Sequence, residues 1–509
     1  MEAVLSGGPV LAATAIALLL GLLCVRVLLR QRQPGKRKKR YAPLVGSILN
    51  QAINFPRIHD YHTDQARRFK CFRLFHPSRG YVYLADPRDV EYILSTNFAN
   101  YGKGSYNRDN LEDLLGDGIF GVDGEKWRHQ RKLASHEFST RNLRDYSSNI
   151  FKQDAVRLAK VISEAVSSNQ PVDIQDLIMR STMDSIFKVG LGMKLDTLRG
   201  RNEEEARFSK AFDDSSELVI WRYTDVLWKV KRALNVGTEA ALRRNMTIID
   251  NFIYKIIDEK LEQMSQGRVD LMKKDDILSR FLEARQKEPE NITRKYLRDT
   301  VLNFMVAGKD TTATALSWFF YMMCKHPDVQ EKLAEQVDEA TKARSSGLSM
   351  AEFTENLGLV NDLPYLHAAL NETLRLYPSV PQDSKMCFSD DTLPSGFDVK
   401  AGDMVTYLPY SMGRLKDLWG DDAEDFRPER WLDEGGSLRH ESPFKFTAFQ
   451  GGPRVCLGRE FAYRQMKIIA AVLLHFFKFE MADDGKDIRY RTMITLLMQG
   501  LRLRVSLRS

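Results

Sequence analysis

The chain has 509 residues, 43% of them hydrophobic, which is enough for two ordinary domains or one large one with a substantial core. Its formal charge of +7 resides in residues 1–40, where the basic side chains face Glu2 alone; the remainder sums to zero, which excludes a nucleic-acid-binding surface as the source of the basic balance. Five scattered cysteines without C-x-x-C spacing exclude a disulfide scaffold and a zinc site and fit a reducing compartment.

Val10 to Leu29 is apolar except for Thr14 and Arg26. At about 1.5 Å per residue it reaches about 30 Å, the thickness of a hydrocarbon core. Arg26 lies near one end, where it can snorkel to the interface. The segment therefore reads as an uncleaved transmembrane anchor, a helix over about 10–29. A cleaved signal peptide is the alternative, disfavoured because Glu2 and no Lys or Arg precede the apolar run. The basic block Lys36–Arg40 should stay cytosolic, leaving the N-terminus lumenal; a nuclear-localisation reading is poor beside a spanning helix. The sequons at Asn245, Asn291 and Asn371 are then expected to be unmodified. Gln33-Pro34-Gly35 is a linker, and residues 41–509 form the globular domain.

Phe72–Phe75 and Tyr81–Leu84 predict a small sheet region, and about 125 to 380 predicts helices. Trp127 and Arg131 fall one helical turn apart and can present an indole N–H and a guanidinium to one anionic edge. The alternative is an exposed basic helix, which Arg128, His129 and Lys132 fit; such a face suits an acidic donor protein. A helix capped near Asn291-Ile292-Thr293 and ending before His326-Pro327 would span roughly 50 Å. Its middle, Val306-Ala307-Gly308-Lys309-Asp310-Thr311-Thr312, is an odd choice for a buried helix interior, because Gly costs about 1 kcal/mol there and Thr hydroxyls divert the backbone ladder. Either it is a kink, or it is an opening where Ala307 and Gly308 clear space, Thr311 offers a hydroxyl and Asp310 a carboxylate for proton relay.

Pro364 to Leu376 predicts a further helix with Glu372 and Arg375 on one face. Strand signals return over 388–408 around a Leu393–Gly396 turn. Near the end, Phe449-Gln450-Gly451-Gly452-Pro453-Arg454-Val455-Cys456-Leu457-Gly458 is a tight loop, followed by a helix from Arg459 to Phe477 with an apolar stripe of Phe461, Met466, Ile469, Val472 and Leu473. A lone cysteine is most often structural. Here it is presented just before a helix N-terminus, which favours thiolate, while Arg454 supplies a charge suited to a carboxylate. Met493–Val505 predicts a final hairpin around Gln499-Gly500.

The loop pattern F-x-x-G-x-R-x-C-x-G resembles the haem-binding loop of the cytochrome P450 superfamily, with Gln450 where that family more often has Ser, Gly, Asn or His. Ala307–Thr312 resembles its oxygen-activating segment, and Glu372-x-x-Arg375 with Phe426-Arg427-Pro428-Glu429-Arg430-Trp431 resembles its structural lock. The resemblance implies a mainly α fold with small β-sheets and haem b ligated by the Cys456 thiolate. Trp127, Arg131 and Arg454 would meet the propionates, Phe449 would pack beneath the macrocycle, and Gly452 and Gly458 would let it approach the backbone. Glu372, Arg375 and Arg430 would form the lock. NADPH-cytochrome P450 reductase is the implied electron donor, and the endoplasmic reticulum membrane the implied location.

Leu376–Lys385, Asp390–Gly396, Asp117–Gly124 and Ala315–Phe320 look like the plant and fungal branch that hydroxylates long-chain fatty acids at or near the ω carbon, and resemble its plant ω-hydroxylases most. Animal ω-hydroxylases carry a Glu, able to esterify haem, where Ala307 stands. A terpenoid or steroid hydroxylase is the alternative; an isomerase of the same fold would typically lack the threonine. Regioselectivity at a methyl end needs a narrow apolar channel, for which Val306, Val380, Leu496 and Leu497 are candidate lining groups. Lys103, Arg108 and Arg222 are candidates to hold the carboxylate.

Overall fold

The long run of helical periodicity is realised in a computed structural model that describes residues 48–75, 79–138, 141–200, 203–266, 276–341, 349–357, 363–483 and 488–508. The expected anchor at about 10–29 and the linker lie outside these residues. Among the described residues no helix is long and apolar enough to cross a membrane.

The helices that position the site are α1 (Gly104–Leu115), α2 (Gly124–Phe138), α3 (Arg141–Ser167), α4 (Ile174–Leu191), α5 (Glu203–Trp221), α6 (Arg294–Met305), α7 (Thr311–Lys325), α8 (Pro364–Leu376) and α9 (Arg459–Phe476). Thr293 caps α6, its hydroxyl accepting from the Tyr296 N–H at 3.1 Å. Between α6 and α7, Val306–Asp310 widens into a π-helical turn, so the predicted long helix is continuous but locally unwound where Gly308 and the threonines stand. Pro364 starts α8, where its missing N–H costs nothing. In α9 the burial is broader than the expected stripe: Gln465 through Leu474 are all buried, as in a helix surrounded by others. It packs with α7, whose Trp318, Phe319 and Phe320 lie in the same large helical core.

The strands are β1 (Cys71–Phe75), β2 (Gly80–Leu84), β3 (Tyr101–Gly102), β4 (Val172–Asp173), β5 (Asp383–Cys387), β6 (Asp391–Thr392), β7 (Asp398–Val399), β8 (Met404–Tyr407), β9 (Phe477–Met481) and β10 (Arg502–Leu507). One sheet has the order β1-β2-β8-β5-β3 and encloses its own apolar core. Within it β2 runs parallel to β8, Tyr81 opposite Met404, although nearly the whole helical region separates them in sequence. The Leu393–Gly396 turn joins the β6–β7 pair as expected, with the Gly396 N–H donating to Leu393 O at 2.7 Å.

The expected terminal hairpin over Met493–Val505 is not formed. Arg502–Leu507 is a strand, buried at Leu503 and Val505, but it pairs with β9 and β4 instead of its own upstream segment. Residues 493–498 are mostly apolar without alternation, and they fold as a buried loop. Leu496 donates its N–H to Ser379 O at 3.0 Å, and its carbonyl accepts from Trp318 Nε1 at 2.7 Å.

Candidate active site

The cysteine loop is held by its own backbone. The Cys456 N–H donates to Phe449 O at 2.9 Å, and the Val455 N–H to Gly452 O at 3.0 Å. Gly452 sits at φ +65°, and a Cβ there would meet the Leu94 carbonyl oxygen at 2.0 Å. Its small size therefore serves the packing of the loop on the Tyr92–Thr96 turn, and Gly452 is not on the cavity wall where it was expected. Gly458 is on that wall. Gln450 adopts φ +60°, a left-handed conformation costly for a residue with a Cβ.

Cys456 opens into a cavity of about 240 Å³, bounded by α2, the interrupted helix and the cysteine loop. Phe449, Leu457, Gly458 and Phe461 line the wall around the thiol. Burial pushes the thiol pKa up, while the Gly458 N–H, Arg131 and Arg459 pull it down without reversing the shift. A metal cation at the sulfur would supply the missing stabilisation.

A second wall is cationic. Trp127 and Arg131 project from α2, and Arg454 lies with its guanidinium 4.4 Å from the Trp127 ring. Arg454 Nη2 donates to Val122 O at 3.0 Å and to Asp123 Oδ1 at 2.6 Å; its Nε is buried with no hydrogen-bond partner. Asp123 also accepts from the Lys103 and Gly104 N–H groups, which docks the start of α1 beside this wall. Lys103 Nζ bonds Asp383 Oδ1 at 2.8 Å, and Lys385 Nζ bonds Asp383 Oδ2 at 2.8 Å. Burial works against the Asp383 carboxylate, but the two lysines outweigh it and hold its pKa well below the usual range. Lys385 is pushed down to about 7, by burial first, with Lys103 and Arg454 adding to the fall and Asp383 opposing it.

Sequence reasoning missed Asp123, Asp383 and Lys385 as members of the site. One signal was available: Asp383 and Lys385 are two apart in a strand, which puts them on one face. With all groups ionised, the cations Lys103, Arg131, Lys385 and Arg454 stand against Asp123 and Asp383 among the described residues bonded at this wall. That leaves room for two negative charges, as the two propionates of haem b would bring. The unpartnered Arg454 Nε gives one of them a donor. The residues present therefore fit the haem that the cysteine loop implies.

The interrupted helix forms a third wall. Ala307, Gly308 and Thr311 line the cavity, and the Thr311 hydroxyl donates to Ala307 O at 2.5 Å. A Cβ on Gly308 would lie 2.6 Å from Ile186 Cδ1, so the space it clears is filled by α4. Val380 is on the wall. Val306, Leu496 and Leu497, expected there, are buried but do not line the cavity, because the π turn and the terminal loop aim them into the core. Asp310 is also absent from the wall; it is buried against Lys309 at 2.8 Å. Of the three candidates for a substrate carboxylate, Lys103 alone lines the cavity. Arg108 pairs with Asp117 at 2.6 Å, and Arg222 is spent on Glu239 and Asp113.

Behind the loop the structure brings Glu372, Arg375 and Arg430 together. Glu372 and Arg375 are wholly buried and joined by two bonds of 2.7 Å. Arg430 stands farther off, 3.4 Å from Glu372 Oε1. Trp431 Nε1 and the Arg427 N–H complete the carboxylate shell at 2.9 Å each, two donors the sequence reading did not single out.

A profile described as Cytochrome P450 matches residues 37–506. Cytochrome P450 704C1 of Pinus taeda is 51% identical over 485 residues, covering 92% of this chain and 93% of its own. Cytochrome P450 704B1 of Arabidopsis thaliana is 44% identical over 509 residues, covering 94% and 97%. Cytochrome P450 94B1 of the same plant is 38% identical over 480 residues, covering 91% and 90%. With the profile running through nearly all of the described structure and these relatives alike along nearly their full length, the chain belongs to the cytochrome P450 family of haem-thiolate monooxygenases.

Proposed function

We propose that this monooxygenase hydroxylates long-chain fatty acids at or near the ω carbon, with electrons from NADPH delivered by NADPH-cytochrome P450 reductase. The observation that carries the reading is the cavity that reaches Cys456, whose walls away from the cations include Ile119, Phe120, Phe304, Ala315 and Val380. Such walls bury a methylene chain, at about 0.8 kcal/mol per CH₂. The likeness of Leu376–Lys385 and Asp117–Gly124 to plant ω-hydroxylases supports the same substrate class.

Haem b, when bound, would supply the iron at which dioxygen is activated, and the Cys456 thiolate would hold that iron. Trp127, Arg131 and Arg454 would hold its propionates, and Phe449 would pack against it. With its own proton engaged by Ala307 O, Thr311 Oγ1 can accept a hydrogen bond from a water in the cavity and hold that water as the proton carrier. Asp310, behind it, is the carboxyl that replenishes that proton. Ala307 leaves haem without an ester link. The Val10–Leu29 anchor holds the chain in the endoplasmic reticulum membrane with the catalytic domain cytosolic.

The test is product analysis by mass spectrometry, using the full chain with reductase and a panel of saturated and unsaturated acids of graded length. Terminal alcohols of long-chain acids are expected. Turnover of a terpenoid or steroid with no product from any acid would move the assignment to that class.

A further inference from the structure

The Asp310 carboxylate is buried on the side of the π turn away from the cavity wall, and its partner is shared. Lys309 Nζ donates to Asp310 Oδ1 at 2.8 Å and to Asp213 Oδ1, on α5, at 2.7 Å. Lys309 is only 2% exposed, its ammonium 5.2 Å from the centroid of the Phe212 ring. The Asp213 side chain is 37% exposed and is the one member of the three that meets solvent freely. Two carboxylates thus share one ammonium, and each feels the other's repulsion beside the attraction of Lys309.

We propose that Asp213 is a positioning residue for the reaction: by sharing Lys309 and setting a second negative charge beside it, it offsets the ion pair of Asp310 and leaves that carboxyl able to take up and release a proton. This rests on the proton-relay reading of Asp310 above. The step itself only makes and breaks the O–H bond of Asp310, one proton entering from water and one leaving toward the cavity. The charged groups acting on Asp310 are Lys309 beside it and Asp213 from α5. Elsewhere on α5, Lys210 pairs with Asp214 at 3.2 Å, and Glu217 pairs with Arg491. From α4 the segment meets Ile186, while Asp184 bonds Thr197 and Lys188 Nζ bonds Gly192 O. On α6, Arg298 and Asp299 pair with each other at 2.8 Å.

The directions follow from charge. Burial raises the Asp310 pKa most, Lys309 lowers it, and Asp213 raises it again. Removing the Asp213 charge should therefore move the Asp310 titration to lower pH, and removing Lys309 should move it to higher pH.

The experiment uses the full-length haem enzyme and the variants Asp213→Asn, Asp213→Glu, Lys309→Met, Asp310→Asn and the double variant Asp213→Asn/Asp310→Asn. The Asp310 carboxyl stretch, assigned by its loss in Asp310→Asn, is titrated by infrared spectroscopy without turnover. It should fall by about one pH unit in Asp213→Asn and rise by about one in Lys309→Met. Product formed per NADPH should drop about tenfold in Asp213→Asn and recover in Asp213→Glu. The double variant should be no worse than Asp310→Asn alone. A titration and coupling unchanged in Asp213→Asn, with Asp310→Asn uncoupled, would overturn the proposal and leave the relay reading standing. Full coupling in Asp310→Asn would remove the relay reading and this proposal with it. A double variant worse than Asp310→Asn would show that Asp213 acts by another route, which also overturns it. Should Lys309→Met fail to fold, the Asp213 variants carry the test.

Discussion

At the scale of single residues, Cys456 was the most legible position, because the glycines, proline and arginine around it leave few other uses for a presented thiol. Cys456→Ser should abolish the carbonyl-complex Soret band characteristic of thiolate ligation. Cys387→Ser should keep it, since Cys387 is buried and hydrogen-bonded to Ser389 O at 2.9 Å. Retention of the band in the first variant would refute the ligand assignment. Gln450 is less obvious. In sequence it is only a departure from the family pattern, but its left-handed φ makes it a strained one. Gln450→Gly is expected to stabilise the fold by about 0.5–1 kcal/mol, the relief of that strain less the added entropy of glycine, measured by urea denaturation of the haem-loaded protein. Asp310 shows the opposite limit. Its neighbours in sequence announced a carboxyl at an unwound helix, but which way that carboxyl turns depends on α5, far away in the chain.

At the scale of elements, α8 was readable to the residue because Pro364 starts it and Tyr377-Pro378 stops it. Its bond to the Pro428–Trp431 turn carries a prediction. Glu372 holds Arg375, Arg430, Trp431 and the Arg427 N–H, so Glu372→Ala strands a buried guanidinium and should cost about 3–5 kcal/mol, seen as loss of haem-loaded protein. Arg430→Lys should be milder, since its contact with Glu372 is 3.4 Å. Equal losses would show that the arginine matters more than its geometry suggests. In β5, Lys385 binds fewer protons in the folded apoprotein than in the unfolded chain between about pH 7 and its ordinary value of ~10.4. Unfolding there takes up protons, so its contribution to stability rises with pH, by at most about 1.4 kcal/mol per unit. Denaturant curves of haem-free protein at pH 7 and 9 should show that rise, and Lys385→Met should remove it; an identical slope in the variant would contradict the assignment. β10 was legible as a strand from its alternation, but its partners β9 and β4 were not, since period-2 patterning states a face and says nothing about the neighbour.

At the scale of the whole molecule, the order of motifs made the fold class readable, and the charge tally isolated the N-terminal segment. Carbonate-washed membranes should retain the full chain and release one beginning near Tyr41; a full chain that washes off, or one cleaved after the apolar run, would contradict the anchor. What no local pattern shows is how far apart in the chain the first sheet's partners are. The parallel pairing of β2 with β8 ties Leu84 to Tyr407, so on the ribosome β2 waits until nearly four-fifths of the protein has emerged. At ~5–20 residues per second that wait is on the order of 15–60 s, during which β1 and β2 present an open, apolar edge. Newly made chain should therefore need a chaperone, or the membrane-bound translocation machinery itself, to shield that hairpin until its C-terminal partner arrives.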